Sequence, residues 1–454
     1  MKGGRTALIL TGTWPPIGGP GTLRTYKFVQ HLSRHGWRTV VITPHERFFP
    51  GAPRLEVDPE PPGAVVIRTD YRSRFDSLRN RLSGPSDRRC GGTVGGFNGV
   101  GEDTWRESPA RPKPLWRRTA TQVARHALAF PDAYRDWLPI ALEEAEAAIS
   151  IHHPEVMVST SPPETPHVVG RALHRRTGLP WVAELRDPWL DYHHEAADLL
   201  FRLRQRQAER RVLRRATRLV TLSQEWANLF GDRIGVPCDL VRSGHDEEDV
   251  PAGASFAPRV KPLVLLYPGK LHPTKQSPEA LFAALAQLRS RGFTPARVQL
   301  EIFAYGNLQP DFETLARRHG VHDWLTVRAR ISYAESLIRQ RQAGALLLFD
   351  WLGTDAVARG VVPLKFYEYL AARRPVLLFG AKDGELVRLA FANPACRVVW
   401  SAEEGADVLA AWCADVVEGG DVRFRIDPAN IALFSRQEAA RQMANVLSRA
   451  TGAT

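Results

Sequence analysis

Residues 360–377, with the sequence G-V-V-P-L-K-F-Y-E-Y-L-A-A-R-R-P-V-L, place a lysine and a glutamate at the start of a predicted helix. The free backbone N–H groups and the positive dipole end of a helix start form a site for anions. Lys365 adds a full positive charge, and Glu368, one turn further on, can accept hydrogen bonds from vicinal hydroxyls. A phosphate and a hydroxylated ring together indicate a nucleotide. The alternative is an amphipathic helix whose Lys and Glu are simply solvated.

A glycine-bearing loop, P-P-I-G-G-P-G at residues 15–21, follows the first predicted strand. Gly18, Gly19 and Gly21 let the backbone approach a ligand closely, and the next helix offers its N-terminus. The loop does not have the G-x-G-x-x-G spacing, and T-P-H rather than an acidic residue ends the second strand. The pattern therefore argues against NAD.

Strand-like and helix-like runs alternate along both halves of the chain, which is typical of α/β domains with helices on both faces of a parallel sheet. The polar stretch 242–262 suits a linker. We predict two tandem Rossmann-like domains that face each other across a cleft, at residues 1–242 and 243–434. A mobile Gly- and Pro-rich insertion at about 72–118 and a C-terminal helix at 435–454 complete the prediction.

The composition is that of a globular protein with a formal net charge of +12 over 454 residues. Of its 61 basic residues only 8 are Lys, so the charge comes from Arg. Such a charge attracts polyanions, anionic lipid or phosphorylated substrates, although codon bias also produces an excess of Arg. The four cysteines are far apart, which favours a reducing cytosol. No apolar run approaches the ~20 residues of a membrane span. We expect a cytoplasmic protein that at most rests on the inner face of the membrane.

Three further segments complete a pattern whose order resembles the GT-B glycosyltransferases, specifically family 4 of retaining, nucleotide-sugar-dependent enzymes. They are Y-P-G-K-L-H-P-T-K at 267–275, S-T-S-P-P-E-T-P-H at 159–167 and W-V-A-E-L-R-D-P-W at 181–189. The last two are similar to loops of a bacterial subgroup, and the resemblance covers nearly the whole chain except 72–118. It implies transfer of a sugar from a nucleotide-diphosphate sugar to an acceptor hydroxyl with retention. The product would be a glycan, a glycolipid or a natural product.

The resemblance also implies a donor site. Lys270 and Lys275 would neutralise the diphosphate, although the family usually has Arg at the first position, and solvated loop lysines are the alternative. Glu368 would contact the ribose. Eight positions earlier, Gly360 stands where the family has its first glutamate, the one that contacts the donor sugar. Backbone N–H groups of residues 360–362 or Asp355 are candidate replacements. The predicted donor-binding residues are Gly18, Gly19, Gly21, Gly269, Lys270, Lys275, Gly360, Val362, Lys365 and Glu368.

The two loops of the first domain would supply the acceptor side. His167 would contact the donor sugar or the acceptor hydroxyl, and Asp187 would orient or deprotonate that hydroxyl beside Arg186. A structural histidine and a buried Arg186–Asp187 ion pair are the alternatives. The predicted catalytic residues are His167, Asp187, Lys270 and Lys275, and Arg186 and Asp187 bind the acceptor. No metal or cofactor is expected, since fixed cations face the leaving group and no D-x-D cluster ends a strand.

Two other functions remain open at this point. A sugar-nucleotide epimerase or hydrolase has the same fold and also holds a diphosphate. A basic binding protein without enzymatic activity would explain the charge, but no aromatic and basic interleaving favours nucleic acid as its partner.

The predicted helix at residues 198–216 carries seven arginines: Arg202, Arg204, Arg206, Arg210, Arg211, Arg214 and Arg215. This basic face could contact an anionic membrane. The alternative is a solvated helix whose arginines pair with neighbouring Glu and Asp residues.

Overall fold

The computed structural model describes residues 4–71, 130–190, 199–251, 262–272, 275–303 and 311–452. The predicted insertion at 72–118 lies outside these ranges. The chain forms two compact units, one of residues 1–242 with 436–454 and the other of residues 243–435.

The first unit is built on a sheet of seven described strands in the order β3-β2-β1-β4-β5-β6-β7, all of them parallel. Its strands are β1 (Arg5–Leu10), β2 (Trp37–Pro44), β3 (Ala64–Thr69), β4 (Val156–Ser161), β5 (Trp181–Leu185), β6 (Arg218–Thr221) and β7 (Cys238–Leu240). Its helices are α1 (Pro20–Leu32), α2 (Leu138–His152), α3 (Thr165–Thr177), α4 (Leu199–Leu213) and α5 (Gln224–Ile234). The central strands β4 and β5 are buried along their whole length, as expected when helices cover both faces. The short strand β7 pairs with β6 and is the last strand of this sheet.

The second unit has a sheet of six described strands in the order β10-β9-β8-β11-β12-β13, again all parallel. Its strands are β8 (Leu263–Pro268), β9 (Val298–Phe303), β10 (Leu325–Arg328), β11 (Ala345–Phe349), β12 (Val376–Phe379) and β13 (Cys396–Val399). Its helices are α6 (Glu279–Ser290), α7 (Phe312–Arg318), α8 (Tyr333–Gln342), α9 (Ala356–Arg359), α10 (Leu364–Ala372), α11 (Glu385–Phe391), α12 (Ala402–Gly419) and α13 (Pro428–Ala432).

The last helix, α14 (Arg436–Ala450), returns to the first unit. Its apolar face, including Ala440, Met443 and Leu447, lies in one buried cluster with Tyr26 and Val29 of α1. Burial of this face holds α14 against the first unit, whose sheet begins with β1.

In each sheet the order of the strands reverses once, and this reversal positions the candidate site. Strand order reverses between β1 and β4 in the first unit and between β8 and β11 in the second. Open α/β sheets bind ligands at the carboxyl ends of the strands at such a reversal. The predicted α/β class with two Rossmann-like domains is confirmed.

Candidate functional site

In the second unit, the start of α10 meets the loop that follows β8. The Lys365 Nζ donates to the Tyr267 hydroxyl at 3.0 Å and to the Lys270 carbonyl at 3.4 Å, and lies 4.3 Å from the centre of the Tyr267 ring. The Tyr267 hydroxyl itself donates to the Lys270 carbonyl at 2.9 Å. Burial raises the pKa of Tyr267, so the phenol stays neutral beside the ammonium group. Lys365 is thereby fixed at the carboxyl end of β8.

Gly269 makes this arrangement possible. Its φ of +153° is one that side-chain-bearing residues rarely adopt, and a Cβ there would lie 2.5 Å from the Lys365 Nζ. The side chain of the next residue, Lys270, makes no hydrogen bond or ion pair with any residue that the structure describes. No described acidic residue therefore neutralises its charge.

Lys275 is held at the end of the neighbouring strand, β11. Its Nζ lies 4.7 Å from the centre of the Trp351 ring, and its carbonyl accepts the Leu352 N–H at 2.8 Å. Gln276 fixes the same loop by donating from Nε2 to the Phe349 carbonyl at 2.6 Å. The loops that carry the three predicted cations thus converge on the reversal between β8 and β11. Sequence reasoning missed Trp351 and Gln276, because a single Trp or Gln after a strand has no distinguishing pattern.

The proposed substitutes for the missing glutamate are mostly engaged elsewhere. Asp355 caps α9 by accepting the Ala358 N–H at 2.8 Å. The Gly360 and Val361 N–H groups close the turn at the end of α9, donating to the Ala356 and Ala358 carbonyls, each at 3.2 Å. Val362 N–H, by contrast, makes no hydrogen bond within the described ranges. The prediction that the N–H groups of residues 360–362 replace the missing glutamate therefore stays open only for Val362.

Glu368 lies on the inner face of α10 and is only 6% exposed. Its Oε2 accepts from the Gln340 Nε2 at 3.5 Å, and it borders a small cavity together with His245 and Tyr333. A buried carboxyl group that sequence reasoning missed, Asp350, follows β11. It accepts the Trp351 N–H at 2.8 Å and the Ala381 N–H at 3.3 Å, and burial raises its pKa.

In the first unit, Arg186 joins three loops at the carboxyl edge of the sheet. Its Nε donates to the Ser161 carbonyl at 2.9 Å, and Nη2 donates to the Pro162 carbonyl. A Cβ on Gly21 would meet the Arg186 Nη1 at 1.6 Å, so this glycine makes room for the guanidinium. Gly18 approaches the backbone of the chain itself: its N–H donates to the Pro53 carbonyl at 2.6 Å. Both contacts explain these glycines by packing within the unit, next to the reversal between β1 and β4.

His167 is fully buried near the start of α3. Its Nδ1 lies 2.7 Å from the Ser159 Oγ, which also accepts the Trp181 Nε1–H at 2.8 Å, and its ring stacks on Trp189. Burial, with a smaller effect from the Arg186 charge, lowers the pKa of His167 to about 3. The imidazole is therefore neutral at physiological pH. Its Nε2 has no described hydrogen-bond partner.

A pair of carboxyl groups, missed by sequence reasoning, stands at the same helix start. Asp132 accepts the Thr165 N–H at 2.6 Å and the Tyr134 N–H at 2.7 Å, and the Glu164 carboxyl lies close enough to interact with it electrostatically. Burial, and for Glu164 also the Asp132 charge, raises the pKa of both groups. The pair therefore retains a proton above the usual carboxyl range. Asp187, whose charge adds to the effect on Glu164, is half-buried nearby.

Comparison with known proteins agrees with this architecture. Residues 18–243 match the model of the glycosyl transferase 4-like domain. No curated protein sequence matches the chain. These residues carry the glycosyl transferase 4-like domain, which confirms the glycosyltransferase class that the sequence indicated.

Solved structures share the fold at low identity. Sucrose-phosphate synthase from Thermosynechococcus elongatus is 16% identical with a TM-score of 0.61, covering 99% of this chain and 100% of its own. HepE from Anabaena, in complex with UDP and glucose, is 14% identical with a TM-score of 0.58, covering 98% and 100%. The lipopolysaccharide outer core galactosyltransferase WaaB is 12% identical with a TM-score of 0.53, covering 98% and 99%.

Proposed function

We propose that this glycosyltransferase takes its sugar from a nucleotide-diphosphate sugar and transfers it to an acceptor hydroxyl with retention and without a metal ion. The observation that carries the proposal is the convergence of Lys270, Lys275 and Lys365 on one strand reversal. The crystallised complex of HepE with UDP and glucose supports a donor of this class.

The reaction breaks the bond between the anomeric carbon and the terminal phosphate oxygen, and forms one to the acceptor oxygen. Negative charge builds up on the departing diphosphate, and fixed cations aimed at it lower the barrier. Lys365 is already held by Tyr267, so its charge is in place before the donor binds. The acceptor hydroxyl loses its proton, and Asp187 is the candidate to orient or accept it.

Glu368 is the candidate for the ribose hydroxyls, and Val362 N–H is the candidate for the donor sugar. The Glu368 Oε2 accepts from Gln340 at 3.5 Å, and a carboxylate has further acceptor sites that could serve a ribose hydroxyl. The acceptor hydroxyl belongs to a glycan, a glycolipid or a small molecule.

The proposal is tested by incubating the purified chain with a panel of UDP-, GDP- and ADP-sugars and candidate acceptors. We expect one donor to release its nucleoside diphosphate only with an acceptor, and the product to keep the anomeric configuration by NMR. Release of a sugar isomer from the donor alone would instead indicate an epimerase, and an inverted product would contradict retention.

Metal independence has a test of its own. After dialysis against EDTA, we expect the transfer rate to stay unchanged, because lysines supply the charge that a divalent ion would otherwise provide. A loss of transfer that only added Mg²⁺ or Mn²⁺ restores would contradict this part of the proposal.

A further inference from the structure

Helix α4 (Leu199–Leu213) has two opposed faces, and the outer one carries a separate surface. The inner face is seated by Phe201, Gln205, Glu209 and Val212, all buried at helical spacing. The Gln205 Oε1 accepts the Trp189 Nε1–H at 2.8 Å, and Glu209 pairs with Arg233 at 3.4 Å. These contacts fix which side chains of α4 point away from the unit.

The outer face begins with three exposed leucines. Leu199 is 73% exposed, Leu200 is 63% exposed and Leu203 is 55% exposed. Single exposed apolar side chains are common, but three within the first two turns of one helix form a contiguous patch.

Exposed arginines continue the same face toward the C-terminal end, and they are not balanced by acid. Arg206, Arg210, Arg211 and Arg214 make no ion pair with any acidic residue in the described part of the chain. Glu209, the acidic residue of α4, points inward. Instead, α3 contributes more positive charge: burial, followed by the charges of Arg175, Arg215 and Arg211, lowers the pKa of Arg171. Among the described residues, these four arginines therefore have no acidic partner.

We propose that the outer face of α4 docks, together with Arg214 just beyond its end, on a bilayer that contains anionic lipid. This surface is defined as Leu199, Leu200, Leu203, Arg206, Arg210 and Arg214. A helix lying in the interface buries apolar side chains among acyl chains and keeps arginines at the phosphates. A nucleic acid would satisfy the arginines but would leave the three leucines in water. This surface is independent of the proposed transfer reaction.

The full chain is tested by flotation with two kinds of vesicle, phosphatidylcholine alone and phosphatidylcholine with phosphatidylglycerol. We expect binding to the second kind only, weakened by high salt. In R206Q/R210Q/R214Q, each lost charge is expected to lower the partition coefficient about fivefold. In L199S/L200S/L203S, we expect the partition coefficient to fall at least about tenfold below that of the parent chain, because the apolar side chains no longer insert into the bilayer.

The matched control is R317Q/R318Q, which removes two exposed arginines of α7 that pair with Glu313 and Glu279. It should bind like the parent chain, and melting temperatures should stay similar because every substituted side chain is solvent-facing. Equal binding to both vesicle types, or no binding, would overturn the proposal. Loss with the arginine variant but none with the leucine variant would also overturn it, and would indicate a polyanion other than a bilayer. No donor sugar is present, so the outcome is separate from that of the transfer assay.

Discussion

At the scale of single residues, His167 shows how burial decides protonation. Its native pKa of about 3 lies below the ordinary value of 6.5, so the unfolded chain binds a proton more readily. The stabilising contribution of the neutral ring is therefore complete above pH 6.5 and is lost as the pH falls toward 3.

We predict that protonation linked to His167 lowers the free energy of unfolding of the parent chain by about 3 kcal/mol when the pH is lowered from 7 to 4. In H167F the Ser159 contact is lost, so stability at pH 7 falls, but the decline between pH 7 and pH 4 becomes shallower. Urea unfolding at both pH values measures the difference. An equal decline in both proteins would show that His167 titrates normally.

Gly269 gives a second prediction at this scale. Replacing it with Ala puts a Cβ 2.5 Å from the Lys365 Nζ and strains the backbone at φ +153°. We expect G269A to lose about 1–3 kcal/mol of unfolding free energy and to displace Lys365. Gly292, with φ +85° and open space around it, offers the control for backbone strain without the clash. If G269A transferred sugar as fast as G292A, fixed placement of Lys365 would not matter.

The sequence was most informative where one residue type had one physical consequence. The Lys at the mouth of α10 and the glycine and lysines after β8 were predicted to form one site, and the structure brings Lys365 to the Lys270 carbonyl. What escaped prediction depends on distant partners. The Asp132–Glu164 pair joins residues 32 positions apart. No local pattern indicates that Gly21 packs against Arg186, or that Gly18 packs against the backbone at Pro53 and Arg54.

At the scale of elements, the buried ion pair between α1 and β5 links a helix to its sheet. Arg24 Nε lies 2.9 Å from Glu184 Oε1, and the remaining guanidinium nitrogens donate to the Val241 and Arg242 carbonyls, each at 2.7 Å. Both side chains are almost completely buried, so neither charge can be left alone without cost.

We predict that R24M lowers the free energy of unfolding by about 3–5 kcal/mol, because Glu184 stays buried without its counter-charge. The double variant R24M/E184Q should recover part of that loss, since the isolated charge is removed. Chemical denaturation of the single and double variants measures both steps. A double variant that is less stable than R24M would contradict the desolvation argument.

The sequence predicted the positions of helices and strands better than it predicted which elements pack against each other. Alternating patterns located most strands, because a buried parallel strand is an apolar run of recognisable length. The three-residue β7 is too short to show a pattern. The C-terminal helix was predicted to begin at residue 435, close to its observed start, but nothing in a helix start specifies that α14 packs on α1.

At the scale of the whole molecule, the chain passes between its two units twice, near residues 242 and 435. Within the second unit, residues next to the two passages are hydrogen-bonded to each other. His245 N–H donates to the Phe434 carbonyl at 3.0 Å, and its Nε2 lies 3.1 Å from the Ile431 carbonyl. The second unit is thus an insertion whose two ends are hydrogen-bonded together. Within the described ranges, no helix is both long and apolar enough to cross a membrane.

The central claim is that the second unit binds a nucleoside diphosphate through Lys270, Lys275 and Lys365. Titration calorimetry of the parent chain with UDP, GDP and ADP tests it directly, with K270M, K275M and K365M as variants and R317M on α7 as the control. We predict that one of these nucleotides binds, that each lysine variant weakens binding about tenfold or more, and that R317M leaves it unchanged. Binding of none of the three nucleotides, or equal affinity in all the lysine variants and the parent chain, would contradict the account.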